Sequence, residues 1–73
     1  MSMGVPVAGS PVSIGDIIEV RIEDILEDGE GSATLPGRRT YKIFVKGSNI
    51  KAGDTVRVLI QRLMPDFASG MKI

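Results

Sequence analysis

The chain has 73 residues, a formal net charge of zero, 42% apolar and 25% charged residues, and neither cysteine nor histidine. That length allows one small domain with a modest core, and that balance of apolar and charged residues belongs to a chain that folds. Disulfide staples, thiolate metal sites and a Ser-His nucleophile pair are excluded, and the sequence predicts a soluble, cytoplasmic protein, since it shows no leader pattern and no run able to cross a membrane.

Residues 1–12 are rich in Gly, Pro, Ser and Val without periodicity and read as a disordered N-terminal arm, leaving 13–73 as the folded domain. Strand one is expected from about Asp16 to Leu26, because Ile18, Val20 and Ile22 recur at every second position. The same pattern returns later: Gly15-Asp16 is echoed by Gly53-Asp54, and Ile18, Val20, Ile22 by Val56, Val58, Ile60. Two copies are too few for a stacked repeat array. They predict two long strands of one barrel, one opening each half.

Between the copies, Glu27 to Gly31 is a glycine-containing turn and Ser32 to Leu35 a short second strand. Pro36-Gly37 suits the centre of a type II turn, where Pro fixes φ and Gly accepts a positive one. Strand three is Thr40 to Lys46, residues 47–53 form a loop, and strand four runs from Asp54 to about Leu63. Pro65-Asp66 interrupts it, and Phe67 to Ile73 is strand five. Five short strands with turn signals between them predict an all-β fold, a small five-stranded barrel.

Charge is unevenly spread. Through Glu30 the chain carries seven carboxylates against Arg21 alone, whereas its later part holds eight cations against Asp54 and Asp66. Such asymmetry marks a surface for a polyanion, or halves that neutralise each other in cross-strand pairs. In strand three, Tyr41, Ile43 and Val45 alternate inward, which turns Lys42, Phe44 and Lys46 outward. A Phe exposed between two lysines suits single-stranded nucleic acid, with bases stacking on the ring and phosphates meeting the ammonium groups; the bland alternative makes Phe44 a lid on the barrel end and the lysines solvated gatekeepers. Arg57 extends this surface if strands three and four lie close. Arg38 and Arg39, just after the turn, sit at a loop tip within reach of a phosphate. Spacing leaves the facing of Phe67 open, the core being the commoner place for such a residue.

Other chemistry finds little support. The acidic turn lacks the ligand spacing of a calcium loop. Asp16 and Asp54 invite comparison with a carboxylate dyad, but each follows Gly at a strand start, where Asp caps its own turn. No metal site or cofactor is expected, and an enzyme is the least supported class.

Gly15-Asp16-x-Ile18-x-Val20-x-Ile22, Asp28-Gly29-Glu30-Gly31-x-Ala33, Phe44-Val45, Gly53-Asp54-x-Val56-x-Val58-x-Ile60 and Phe67-Ala68-x-Gly70, in that order, resemble a TRAM domain from Ile14 onward. The resemblance implies a barrel related to the oligonucleotide-binding fold, of the stand-alone archaeal type. It implies an RNA-binding module that serves as an RNA chaperone or binds tRNA or other structured or single-stranded RNA. Lys42, Phe44, Lys46, Arg57 and Phe67 then carry binding, with Arg38 and Arg39 beside them. Lys46 stands where family members often have Pro, which adds a charge to that face, and Ala52 where another Pro is usual. The competing function is a protein-interaction barrel that docks on a partner, such as an RNA-modifying enzyme supplied in trans.

Overall fold

A computed structural model describes residues 11–73 and shows a closed barrel of five strands, with no helix among the described residues. The strands are β1 (Ile17–Ile25), β2 (Gly31–Leu35), β3 (Arg38–Lys46), β4 (Thr55–Leu63) and β5 (Phe67–Lys72). Around the barrel they follow the order β1-β2-β3-β5-β4, with β4 returning to β1. All neighbours are antiparallel except β3 and β5, which run parallel. The all-β expectation and the five strands hold. Closure pairs each strand with two neighbours and so limits the edge available to another chain.

The two copies of the repeat are β1 and β4, and they pair with each other. The Gly15 amide donates to the Ile60 carbonyl at 2.8 Å, and the Gly53 amide to the Ile22 carbonyl at 2.7 Å. Reciprocally, Ile60 donates to the Asp16 carbonyl and Ile22 to the Asp54 carbonyl, both at 2.8 Å. Gly15 and Gly53 share a φ of 93°, a left-handed turn that explains Gly before each Asp. Each copy therefore caps the far end of the other, about a local two-fold axis through the β1–β4 ladder. Asp16 accepts from the Ser13 amide at 2.9 Å, the turn-capping role rather than a catalytic one.

The core follows the alternation. Val20, Ile22, Ile43, Val45, Val58 and Ile60 are almost wholly buried, joined by Ala33, Leu35, Tyr41, Val56 and Ala68. Val12 is buried with them at 7% exposure. Packing therefore begins before residue 13, inside the stretch read as an arm; residues 1–10 lie outside the described residues. Gly70 marks the tightest approach, because a Cβ there would meet the Leu59 carbonyl oxygen and the Val58 side chain on β4.

Bulges interrupt both copies at equivalent places, between Ile22 and Asp24 in β1 and between Ile60 and Arg62 in β4. A bulge sets two residues against one and re-aims those that follow. Strict alternation would send Asp24 and Arg62 inward, but both are exposed.

Candidate nucleic-acid interface

β3 positions the site. With Tyr41, Ile43 and Val45 buried, Lys42, Phe44 and Lys46 project from the outer surface as the alternation requires. The neighbour of this strand is β5 rather than β4, in parallel register: Lys42 pairs with Phe67, Phe44 with Ser69 and Lys46 with Met71. Ala68 and Gly70 are buried, so Phe67, Ser69 and Met71 face outward on β5. The facing of Phe67 is thereby settled: its ring meets that of Phe44 edge to face, with centroids 5.5 Å apart and planes inclined at 74°.

The carbonyl of Phe67 is held from inside. The buried Tyr41 hydroxyl lies 3.1 Å from the carbonyls of both Met64 and Phe67, between which its single hydrogen is shared. The Met64 amide also donates to the Phe67 carbonyl at 2.8 Å, closing the turn between β4 and β5. One side chain of β3 thus ties down the start of β5 beside the aromatic pair.

The lysines are not free cations. Lys42 Nζ lies 3.5 Å from Glu23 Oε1 and 3.3 Å from Thr34 Oγ1, while the Thr34 hydroxyl donates to the same Glu23 oxygen at 3.0 Å. Lys46 Nζ lies 3.9 Å from Glu30. Glu19 stands opposite Arg57 across the β1–β4 ladder. Two of the later cations, Lys42 and Lys46, thus meet carboxylates of the acidic early chain. These pairs are exposed, so each stabilises the fold by at most about 1 kcal/mol.

The predicted site residues are only partly brought together. Lys42, Phe44, Lys46 and Phe67 share one patch. Arg57 does not join it, because β5 intervenes between β3 and β4 and its register leads from Arg57 to Ile73. Arg38 and Arg39 are the first residues of β3 rather than a loop tip, continuing directly from the Pro36-Gly37 turn, in which Gly37 takes a φ of 83°. Between Arg38 and Lys42 the β2–β3 register is irregular, Leu35 pairing with Arg38 and the adjacent Thr34 with Lys42.

Three further residues belong to the patch. Arg62, turned outward by the β4 bulge, pairs with Ser69, which pairs with Phe44. Ser69 and Met71 follow Phe67 along β5. A signal for Arg62 existed in the sequence: both copies of the repeat place a charge, Asp24 or Arg62, where alternation demands a core residue. Met71 also starts an apolar row that continues through Leu59 to Ile17, with Met71 44% and Ile17 53% exposed.

Comparison with known proteins bears on the family and the fold. A TRAM domain family model matches residues 11–73. The ribosomal RNA large subunit methyltransferase E of Haloarcula marismortui is 41% identical over 58 residues, which cover 80% of this chain and 20% of that enzyme. The solution structure of a conserved protein from Methanococcus maripaludis superposes with a TM-score of 0.72 at 30% identity, covering 100% of this chain and 99% of that one.

Proposed function

The chain belongs to the TRAM domain family, and from that premise we propose that it is a sequence-tolerant RNA-binding module, not an enzyme, that holds unpaired nucleotides on the outer face of β3 and β5. The observation that carries this reading is the outward pair of Phe44 and Phe67, a stacking surface flanked by Lys42, Lys46 and Arg62. At the patch, β3 is paired on both sides from Lys42 to Val45, so a ligand must be met there by side chains, and ring faces with cations around them suit bases and phosphates. The similarity to a segment of an RNA methyltransferase supports RNA as the polyanion. That enzyme is mostly outside the matched segment, so its activity does not follow for this chain.

Carboxylates beside both lysines keep the field weak, which favours modest affinity and rapid exchange. Those properties suit an RNA chaperone or a transient tRNA-binding protein in the cytoplasm, and we take that as the role. The test is binding of labelled single-stranded RNA, duplex RNA and single-stranded DNA at two salt concentrations. Three phosphate contacts, at Lys42, Lys46 and Arg62, give a log–log salt slope of roughly −2 at about 0.7 per contact, with similar affinities across sequences. Replacing Lys42 and Lys46 together should flatten the slope by about 1.4. A slope near zero would overturn this reading. It would favour docking on a protein, such as an RNA-modifying enzyme in trans, through the apolar row of Ile17, Leu59 and Met71.

A further inference from the structure

Five side chains lie in one row across the outer surface, each the register partner of the next: Asp24 on β1, Ser32 on β2, Phe44 on β3, Ser69 on β5 and Arg62 on β4. The ring stands at the centre with a serine on either side. The two ends are the equivalent bulge positions of the repeat, yet they carry opposite charge. Fold symmetry is therefore kept while electrostatic symmetry is broken, and the row has a direction.

The two serines differ in access. Ser32 is buried to 9% exposure, whereas Ser69 is half-buried and reachable from solvent. Neither hydroxyl has a hydrogen-bond partner among the described residues. A hydroxyl left unpaired beside a half-buried, outward-facing ring is a group still able to donate and accept. Arg62, at the end beyond Ser69, makes no ion pair among the described residues, in contrast to Lys42 and Lys46.

We propose that this row seats one ribonucleotide crosswise, with its base on the Phe44 ring, its 2′-hydroxyl on the Ser69 hydroxyl and its phosphate on Arg62, so that Ser69 makes the site prefer RNA to DNA. The proposal rests on the RNA-binding reading and adds a direction and a specificity residue to it. Base, sugar and phosphate follow one another in a nucleotide as ring, hydroxyl and guanidinium follow one another across β3, β5 and β4. The opposite orientation is disfavoured twice: Ser32 is closed off, and Asp24 beyond it repels a phosphate. The 2′-hydroxyl, both donor and acceptor, is the group by which a protein distinguishes RNA from DNA at one site.

The experiment uses the full chain and labelled decamers of uridylate and deoxyuridylate, which share a base and differ at the 2′ position. The unmutated protein should bind the ribo-oligomer about 3–10-fold more tightly, the worth of one hydrogen bond. Ser69→Ala should collapse the ratio of ribo- to deoxy-oligomer affinity toward one, whereas Ser69→Thr should retain the preference. Arg62→Gln should weaken both oligomers alike. A 2′-O-methyl decamer on the unmutated protein provides a reading independent of any folding defect, and should bind like the deoxy form. Equal binding of ribo- and deoxy-oligomers by the unmutated protein, or a Ser69→Ala variant that keeps the full preference, overturns the proposal while leaving RNA binding intact. Failure to bind either oligomer at low salt removes the RNA-binding reading, and this inference with it.

Discussion

Glu19 and Arg57 lie directly opposite each other across the β1–β4 ladder and occupy the same position in the two copies of the repeat. The local two-fold axis passes between them, so this pair sits on the side of the barrel that faces away from β3. Arg57 is consequently expected to contribute to the β1–β4 ladder more than to RNA. Arg57→Gln should change RNA affinity less than Arg62→Gln does, and cost about 0.2–1 kcal/mol of stability. Anisotropy titrations of the two variants, with thermal melts beside them, decide this. Equal losses of affinity would mean that the phosphate path wraps around the barrel.

The Tyr41 hydroxyl provides a second measurable link. Tyr41→Phe preserves the buried ring and removes the hydrogen shared by the Met64 and Phe67 carbonyls. Stability should fall by about 1 kcal/mol in urea denaturation, and RNA affinity should fall too, because the start of β5 is less firmly held. Reduced stability at unchanged affinity would show that the Phe67 ring is fixed by its contact with Phe44 alone.

Phe44→Ala and Phe67→Ala should each weaken RNA binding by about 1–3 kcal/mol, the worth of one stacked base. Both rings are half-buried and in edge-to-face contact, so each variant should also lose about 0.5–1.5 kcal/mol of stability. The double variant should lose less affinity than the sum, because each single change already disrupts the shared contact. Strict additivity in calorimetric titrations would mean that the rings bind separate bases.

Glu23 competes with phosphate for Lys42. Glu23→Gln should therefore tighten RNA binding by a few fold, the scale of an exposed ion pair. Strand β1 is not remote from the site, as its acidic composition alone would suggest, because the bulge after Ile22 and the register with β2 bring Glu23 to Thr34 and Lys42. A neutral or weakened variant would indicate that Glu23 orients Lys42 productively rather than occupying it.

Strand positions and core faces were legible because the alternation at Ile18, Val20, Ile22 and at Val56, Val58, Ile60 is strict and β-branched, and because Gly37 and the Gly-Asp pairs require particular turns. The outward facing of Phe44 followed from the same alternation. What spacing could not convey was which strands adjoin. The parallel pairing of β3 with β5 is a property of closure, and it alone brings Phe67 to Phe44 while separating Arg57 from Lys46. Arg62 was missed because a bulge reverses the facing of every residue after it. The neutralising pairs of Lys42 and Lys46 depend on the cross-strand register, which the charge sequence does not contain.

The insertion of β5 between β3 and β4 ties the history of the chain to its surface. β5 follows the other four strands in order of synthesis, so a nascent chain that has produced β1 to β4 still has an open edge on both β3 and β4. At that stage Phe44 has no ring beside it, and Arg62 and the β3 lysines have no common scaffold. The last strand seals two exposed edges and assembles the binding face in one step. An unfinished or clipped copy would therefore lack the proposed RNA-binding face for the same reason that it is prone to strand-edge association.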